Sequence, residues 1–194
     1  MEQPAIQIEC EVDEDIIKAC QQGDRLAFQQ LFNAYKDRVY SIALHFSGDE
    51  SLARDITQNV FLKIFTSIKD FHFRAGLDTW LYRIVVNECL SEQRRFKRFI
   101  PFADMEMLNI VAKESPEENY WRQQLTTSVR SIVASLNPKL RLPILLRYVE
   151  GLSYDEIAQV LGCSKGTVAS RLNRGHKILA RKLVHLQGAL GEIQ

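Results

Sequence analysis

The chain has 194 residues, 46% hydrophobic and 25% charged, with a formal net charge of +1, the proportions of a soluble globular protein with one or two packed cores. No apolar run approaches the roughly 20 residues that span a bilayer, and the acidic opening "MEQPAIQIECEVDEDII" lacks the basic-then-apolar order of a signal peptide, so a cytoplasmic protein is expected. The small total hides a gradient: residues 1–60 carry 5 Lys/Arg against 11 Asp/Glu and residues 139–187 carry 9 against 3, which points to a polyanion at the basic end and a different partner near the start.

Strand-like alternation is absent and the glycines fall mostly at joints, so an all-α fold of two small helical domains is expected. Residues 1–25 form an acidic N-terminal segment with no assigned role. The first strong helical period covers residues 26–46, through Phe28, Leu31, Phe32, Tyr35, Val39, Tyr40 and Ala43. "SGDES" breaks it, and the pattern resumes over 51–68 with Ile56, Val60, Phe61, Ile64, Phe65 and Ile68. "KDFHFRAGLD" reads as a loop, after which Asp78 is placed to cap a helix over 79–95. The first domain is thus 26–98. Residues 99–118, with prolines at both ends and no sustained period, read as a linker. A second domain over 119–187 holds helices at 120–135, 138–149, 154–161 and 165–184. Asn137-Pro138 is a start signal, and Pro143 is expected to bend or loosen the helix it sits in.

The stretch "LSYDEIAQVLGCSKGTVASRLNRG" carries the chemistry of the second domain. Ser153 and Glu156 have capping-box spacing, Ile157, Ala158 and Leu161 make a narrow apolar face, and Gly162 suits a turn that needs positive φ. From Ser164 onward, Val168, Leu172, Gly175, Leu179 and Leu183 share a stripe roughly 80° wide. Gly166, Ser170, Asn173, Arg174, Lys177 and Arg181 lie opposite. Two helices about a glycine turn, the second apolar behind and polar-basic in front, form a helix-turn-helix over residues 154–177, opening at Tyr154. Arg174 suits a bidentate pair with guanine and Asn173 one with adenine. Lys165, Arg171, Lys177 and Arg181 suit phosphates, and Ser164 and Thr167 suit a phosphate at the helix N-terminus. An ordinary helical hairpin with a solvated charged face is the plainer alternative.

The mid-chain helix ends in a basic run, "QRRFKRF", with Arg94 and Arg95, and carries Arg83 and Asn87 on its polar edge. The loop before it holds Phe71, His72, Phe73 and Arg74, aromatics beside basic groups of the kind that stack on unpaired bases. Trp80, in register with Leu81 and Ile84, reads as core.

"DITQNVFLKIF", "DTWLYRIVVN…RR" and the helix-turn-helix, in this order and parted by a linker, resemble the extracytoplasmic-function (ECF) group of bacterial sigma-70 factors. The resemblance implies a non-catalytic subunit that binds core RNA polymerase, at the β′ clamp and the β flap, and directs it to promoter DNA as a monomer within the holoenzyme. It assigns Asp55, Gln58, Asn59, Val60, Phe61 and Leu62 to the clamp contact. The loop at 71–76 and Arg83, Asn87, Arg94 and Arg95 match the part that reads and opens the minus-ten element. Ser170, Arg171, Asn173 and Arg174 match the recognition helix for the minus-thirty-five element. An anti-sigma factor is a further expected partner, and the linker is expected to thread toward the RNA exit channel. Asn59 stands where the family commonly has glutamate, Ala169 where a basic residue is frequent, and Gly175-His176 where Ala-Arg is usual. The first departure bears on a polymerase contact; the other two imply fewer phosphate contacts and a different promoter preference, with the Ala169 methyl placed to meet a thymine methyl.

No constellation in the sequence argues for an enzyme, a cofactor or a metal site: the four histidines are scattered, no Gly-rich phosphate loop occurs, and the four cysteines lack zinc spacing and read as free thiols. Cys163, in the turn of the helix-turn-helix, reads as a structural thiol rather than a redox sensor. One alternative is a one-component regulator, a helical sensing domain ahead of the helix-turn-helix, dimeric on palindromic half-sites about one helical turn apart. Another is an adaptor that binds protein through the acidic half and shows no salt-dependent DNA binding.

Overall fold

The computed structural model describes residues 12–99 and 118–191. Most of the expected linker, and the N-terminal segment up to residue 11, lie outside the described residues. Eight α-helices and one 3-10 turn make up the regular structure of the described residues, with no strand among them.

The first half is four helices. Helix α1 (Glu14–Gln21) lies within the acidic N-terminal segment, for which the sequence suggests no helix. Asp13 caps it by accepting from Ile16 N at 2.8 Å, and Ile17 and Cys20, one turn apart, are buried in the core. Helix α2 (Arg25–Ser47) starts at the Asp24 cap and ends at Gly48, whose φ of 75° closes the helix in the left-handed region that disfavours a side chain. Helix α3 (Glu50–Ser67) begins at the Asp49 cap and runs into a 3-10 turn, Ile68–Asp70. Helix α4 (Leu77–Phe99) begins earlier than expected. Asp78 is therefore no cap but a first-turn residue, and its carboxylate accepts from Tyr35 Oη. Leu31, Val39 and Ile42 of α2, Ile56, Val60 and Ile64 of α3 and Leu81, Tyr82 and Val85 of α4 meet as one core. Each such aliphatic or aromatic side chain contributes roughly 1.5–3 kcal/mol by leaving water.

The second half holds α5 (Glu118–Ala134), α6 (Pro138–Tyr148), α7 (Tyr154–Leu161) and α8 (Lys165–Gly191). Asn137 caps α6 through Lys139 N, with Pro138 at the first helical position. Pro143 does not end α6; the helix runs through it, and the ring is buried among Leu142, Ile144, Leu145 and Leu146. Packing of this apolar run outweighs the missing N–H.

The halves are docked through polar contacts as well as apolar ones. The Glu150 side chain is only 3% exposed; it accepts from Arg38 Nε at 2.9 Å and from Tyr82 Oη. Arg141, 6% exposed, donates to Leu136 O through Nε (3.2 Å) and Nη2 (2.6 Å) and to Phe46 O through Nη1, with its guanidinium over the Phe46 ring. Burial lowers Arg141 to about 10, still protonated at neutral pH. Arg83 of α4 donates twice to Gln159 O of α7, at 3.1 and 2.8 Å.

Candidate nucleic-acid interface

Helices α7 and α8 are held at the angle of a helix-turn-helix by local signals. The Ser153 hydroxyl accepts from Glu156 N at 3.3 Å while the Glu156 carboxylate accepts from Ser153 N at 2.7 Å, a reciprocal capping box. Those hydrogen bonds hold the Glu156 carboxyl below its ordinary range. Gly162 turns the chain with φ 61°. Ser164 Oγ accepts from Thr167 N at 3.2 Å and so caps α8. Along α8, Val168 and Leu172 are fully buried and Gly175 is buried, while Gly166, Ser170, Asn173, Arg174, Lys177 and Arg181 are all exposed, as the stripe and its opposite face require. Val160, which the apolar face of α7 as read from sequence leaves out, is buried beside Ile157.

The basic side chains of this face are not equally available. Lys165 Nζ pairs with Asp155 at 2.7 Å, and Arg171 turns back toward the Cys163 sulfur at 3.9 Å, only half-buried. Arg174 lies along its own helix, near Ser170 O at 3.4 Å. Ala169 is partly buried and Thr167 likewise. Exposed pairs such as Lys165–Asp155 contribute about 0–1 kcal/mol, so a phosphate can displace the carboxylate.

The loop between the 3-10 turn and α4 places Phe71 in the core, against Trp80 (centroids 5.2 Å) and Phe73 (4.9 Å). Trp80 is packed against the core, as its register predicts. Phe73 stays 39% exposed, and His72 and Arg74 are exposed beside it. Phe73 has φ 56°, a conformation in which a bulky residue is strained. On α4, Arg83, Asn87, Arg94 and Arg95 are exposed, with Arg95 near Glu92 at 3.3 Å. Arg83 also lines a cleft with Gln159, Cys163, Ser164 and Lys165, so residues of both basic surfaces face each other across the junction of the halves.

On α3 the six candidate residues separate. Asp55 and Gln58 are exposed, Asn59 is partly buried, and Leu62 is 55% exposed. Val60 is fully buried and Phe61 nearly so, which makes them core rather than contact surface, although Phe61 forms the floor of a groove. That groove, between α2 and α3, is almost wholly apolar, with walls of Phe28, Phe32, Leu62 and Phe65. The rings pair across it, Phe28 with Phe65 at 5.0 Å and Phe32 with Phe61 at 4.6 Å. Phe28, Phe32 and Phe65 were missed as surface residues; the signal was two aromatic i, i+4 pairs on successive helices.

Two family models match the chain: sigma-70 region 2 over residues 31–99, covering most of α2 to α4, and sigma-70 region 4 over residues 126–179, covering α5 to mid-α8. The RNA polymerase sigma-H factor of Pseudomonas aeruginosa is 30% identical over 182 residues, 89% of this chain and 94% of that one. The ECF RNA polymerase sigma factor SigW of Bacillus subtilis is 30% identical over 177 residues, 86% and 94% of the two chains. The chain belongs to the ECF family of sigma-70 factors. The fold agrees: a solved sigma factor RpoE from Bartonella quintana, in complex with the anti-sigma factor NepR, superposes with a TM-score of 0.62 at 23% identity, covering 80% of this chain and 96% of that one. This sigma factor directs transcription initiation, and sigma factors are non-enzymatic initiation factors. Helix α1 and the turn after it precede both matched regions. No described helix is long and apolar enough to cross a membrane.

Proposed function

We propose that the sigma factor reads its promoter with two separate surfaces and grips polymerase with a third. Ser170, Asn173 and Arg174 enter the major groove of the minus-thirty-five element, with Ser164, Lys165, Thr167, Arg171, Lys177 and Arg181 on flanking phosphates and Ala169 against a thymine methyl. Each good base pair contact contributes about 1–3 kcal/mol of discrimination. The loop at 71–76 takes an unstacked base of the minus-ten element, at a cost of a few kcal/mol, and Arg83, Asn87, Arg94 and Arg95 track the strand. Asp55, Gln58, Asn59 and Leu62, with the α2–α3 groove, receive the β′ clamp of core polymerase, while the second half meets the β flap. The chain acts as a monomer within the holoenzyme, and an anti-sigma factor holds it in reserve.

The observation that carries the reading is the α8 face: every residue opposite the buried stripe is exposed and none is acidic. Arg83 spends Nε and Nη2 on Gln159 O, so promoter binding through the full guanidinium fork requires the halves to part. Reconstitution tests the whole: the purified chain, core polymerase free of any sigma subunit, and a random-promoter library with transcripts sequenced. Start sites downstream of two shared, unlike elements are expected. Enrichment of palindromes by the chain alone, without transcripts, would favour the one-component regulator. For the clamp contact, Leu62→Asp with Phe65→Asp is the cleaner variant, because Phe61 is core. A loss of polymerase affinity of at least tenfold, with helix content unchanged, is expected.

A further inference from the structure

We propose that Gln21, the last residue of α1, is a positioning residue that sets the base preference of the loop at 71–76. The proposal rests on the reading of that loop as the minus-ten reader. Gln21 precedes the matched region 2, yet its side chain crosses to the far end of α3. There Nε2 donates to Ile68 O at 3.1 Å and to Phe71 O at 2.7 Å. Those carbonyls bracket the 3-10 turn, and Ile68 O also accepts from Phe71 N at 3.1 Å. One amide group thus uses both of its hydrogens to fix the start and end of the segment from which the loop departs.

Two residues later stands Phe73, with its positive φ. A non-glycine residue in that region is strained and stays there only where its surroundings over-determine it. On one side the loop is held by the Phe71 ring against Phe73 and Trp80. On the other side the polar anchor is Gln21. Its own base is rigid, because Ile17 and Cys20 lock α1 into the core while Gln21 itself is only half-buried. Helix α1 is therefore a strut whose tip fixes the direction in which the chain leaves the turn, and with it the position of Phe73.

The test uses holoenzyme formed with the full chain and a promoter library in which the minus-ten element varies behind a fixed minus-thirty-five element. Gln21→Met keeps the length of the side chain and removes both donors. Gln21→Lys restores a donor within reach of both carbonyls, and Phe73→Ala reports on the loop itself. For Gln21→Met, base discrimination at the position read by the loop should fall roughly tenfold, the size that one to two net amide hydrogen bonds carry. Minus-thirty-five preference and polymerase affinity should not change, and Gln21→Lys should recover most of the loss. If Phe73→Ala flattens the preference and Gln21→Met does not, Gln21 is no positioning residue. An equal loss at both elements, or weaker polymerase binding by Gln21→Met, reduces Gln21 to general stability and overturns the proposal. Should Phe73→Ala leave the preference intact, the loop reading itself fails.

Discussion

At Gly175 α8 packs close against α6, since a Cβ there would stand 2.5 Å from Ile144 Cδ1, 3.4 Å from its Cγ1 and 3.7 Å from Leu140 O. The departure from the family's usual Ala-Arg at 175–176 thus has a steric account: the Ile144 δ-methyl occupies the space of the alanine methyl. Glycine inside a helix costs about 1 kcal/mol relative to alanine, whereas overpacking a buried contact costs about 1–3 kcal/mol. The atom in the way is the far end of a side chain that can swing aside, so Gly175→Ala should fall short of the full helix gain. In an Ile144→Val background, which lacks the δ-methyl, it should gain more, by a few tenths of a kcal/mol or more. Urea unfolding of the two single variants and the double variant measures this, and additive effects would remove the steric account. His176 follows the same logic of position, packed edge-on against Tyr148 with centroids 5.5 Å apart. Sequence alone separates the two faces of α8 because one helical period assigns every residue a side. It does not show which residue of α6 meets Gly175, since that depends on how two helices cross. The same period also limits the α3 surface: neighbours on a helix lie 100° apart, so the unbroken run 58–62 cannot all face a partner, and Val60 and Phe61 turn inward.

Among the elements, the helices with caps and several turns of pattern were legible to within a few residues, and α7 is the clearest case. Its capping box was readable from Ser153 and Glu156 alone and is present with both hydrogen bonds. The lowered Glu156 pKa, caused first by the hydrogen bonds to Ser153, makes a pH prediction with a definite sign. The folded-state value lies below the unfolded one near 4.3, so the stabilisation is full above the unfolded pKa and is lost as pH falls through the folded value. Glu156→Gln keeps the shape and an acceptor and removes the charge. At neutral pH it should lower stability by a few tenths of a kcal/mol, because the group is exposed and screened, and the gap should narrow in acid as the carboxylate is protonated. Thermal melts of both proteins at the two pH values decide it; a gap that persists in acid would assign the effect to shape instead. Helix α1 was illegible for the opposite reason. It is no shorter than α7 and buries as many residues, two, but it has no capping box, and the acids around it dominate the composition. The long-range partner of Gln21 was equally hidden, because no local pattern links it to Ile68 and Phe71.

At the scale of the whole molecule, the docking of the halves was the least legible feature. Beside apolar packing that joins the buried residues of both halves, it uses single side chains, Arg38, Arg83 and Arg141, each reaching an acceptor in the other half. Contacts between the domains of one chain resemble transient interfaces and part more readily than a core unfolds. Glu150 is the most sensitive point, a nearly buried carboxylate with Arg38 and Tyr82 as its two donors. Tyr82 is pushed up strongly, first by burial and then by Glu150, so its hydroxyl remains a donor at every physiological pH. Arg38→Met leaves the carboxylate with one donor; a buried charge stripped of its partner costs about 3–5 kcal/mol, less where the partner was partly exposed, as Arg38 is. Parting the halves is one way to lower that cost, because it returns Glu150 to water at the expense of the apolar contacts between them. Arg38→Met should therefore show a larger radius of gyration in small-angle scattering, unchanged helix content, and two thermal transitions in place of one. The same variant should bind core polymerase more tightly, since a chain that must open before it binds has its affinity reduced by the fraction already open. If scattering is unchanged and a single transition merely moves to lower temperature, the halves form one cooperative body, and opening is not a step on the way to the promoter.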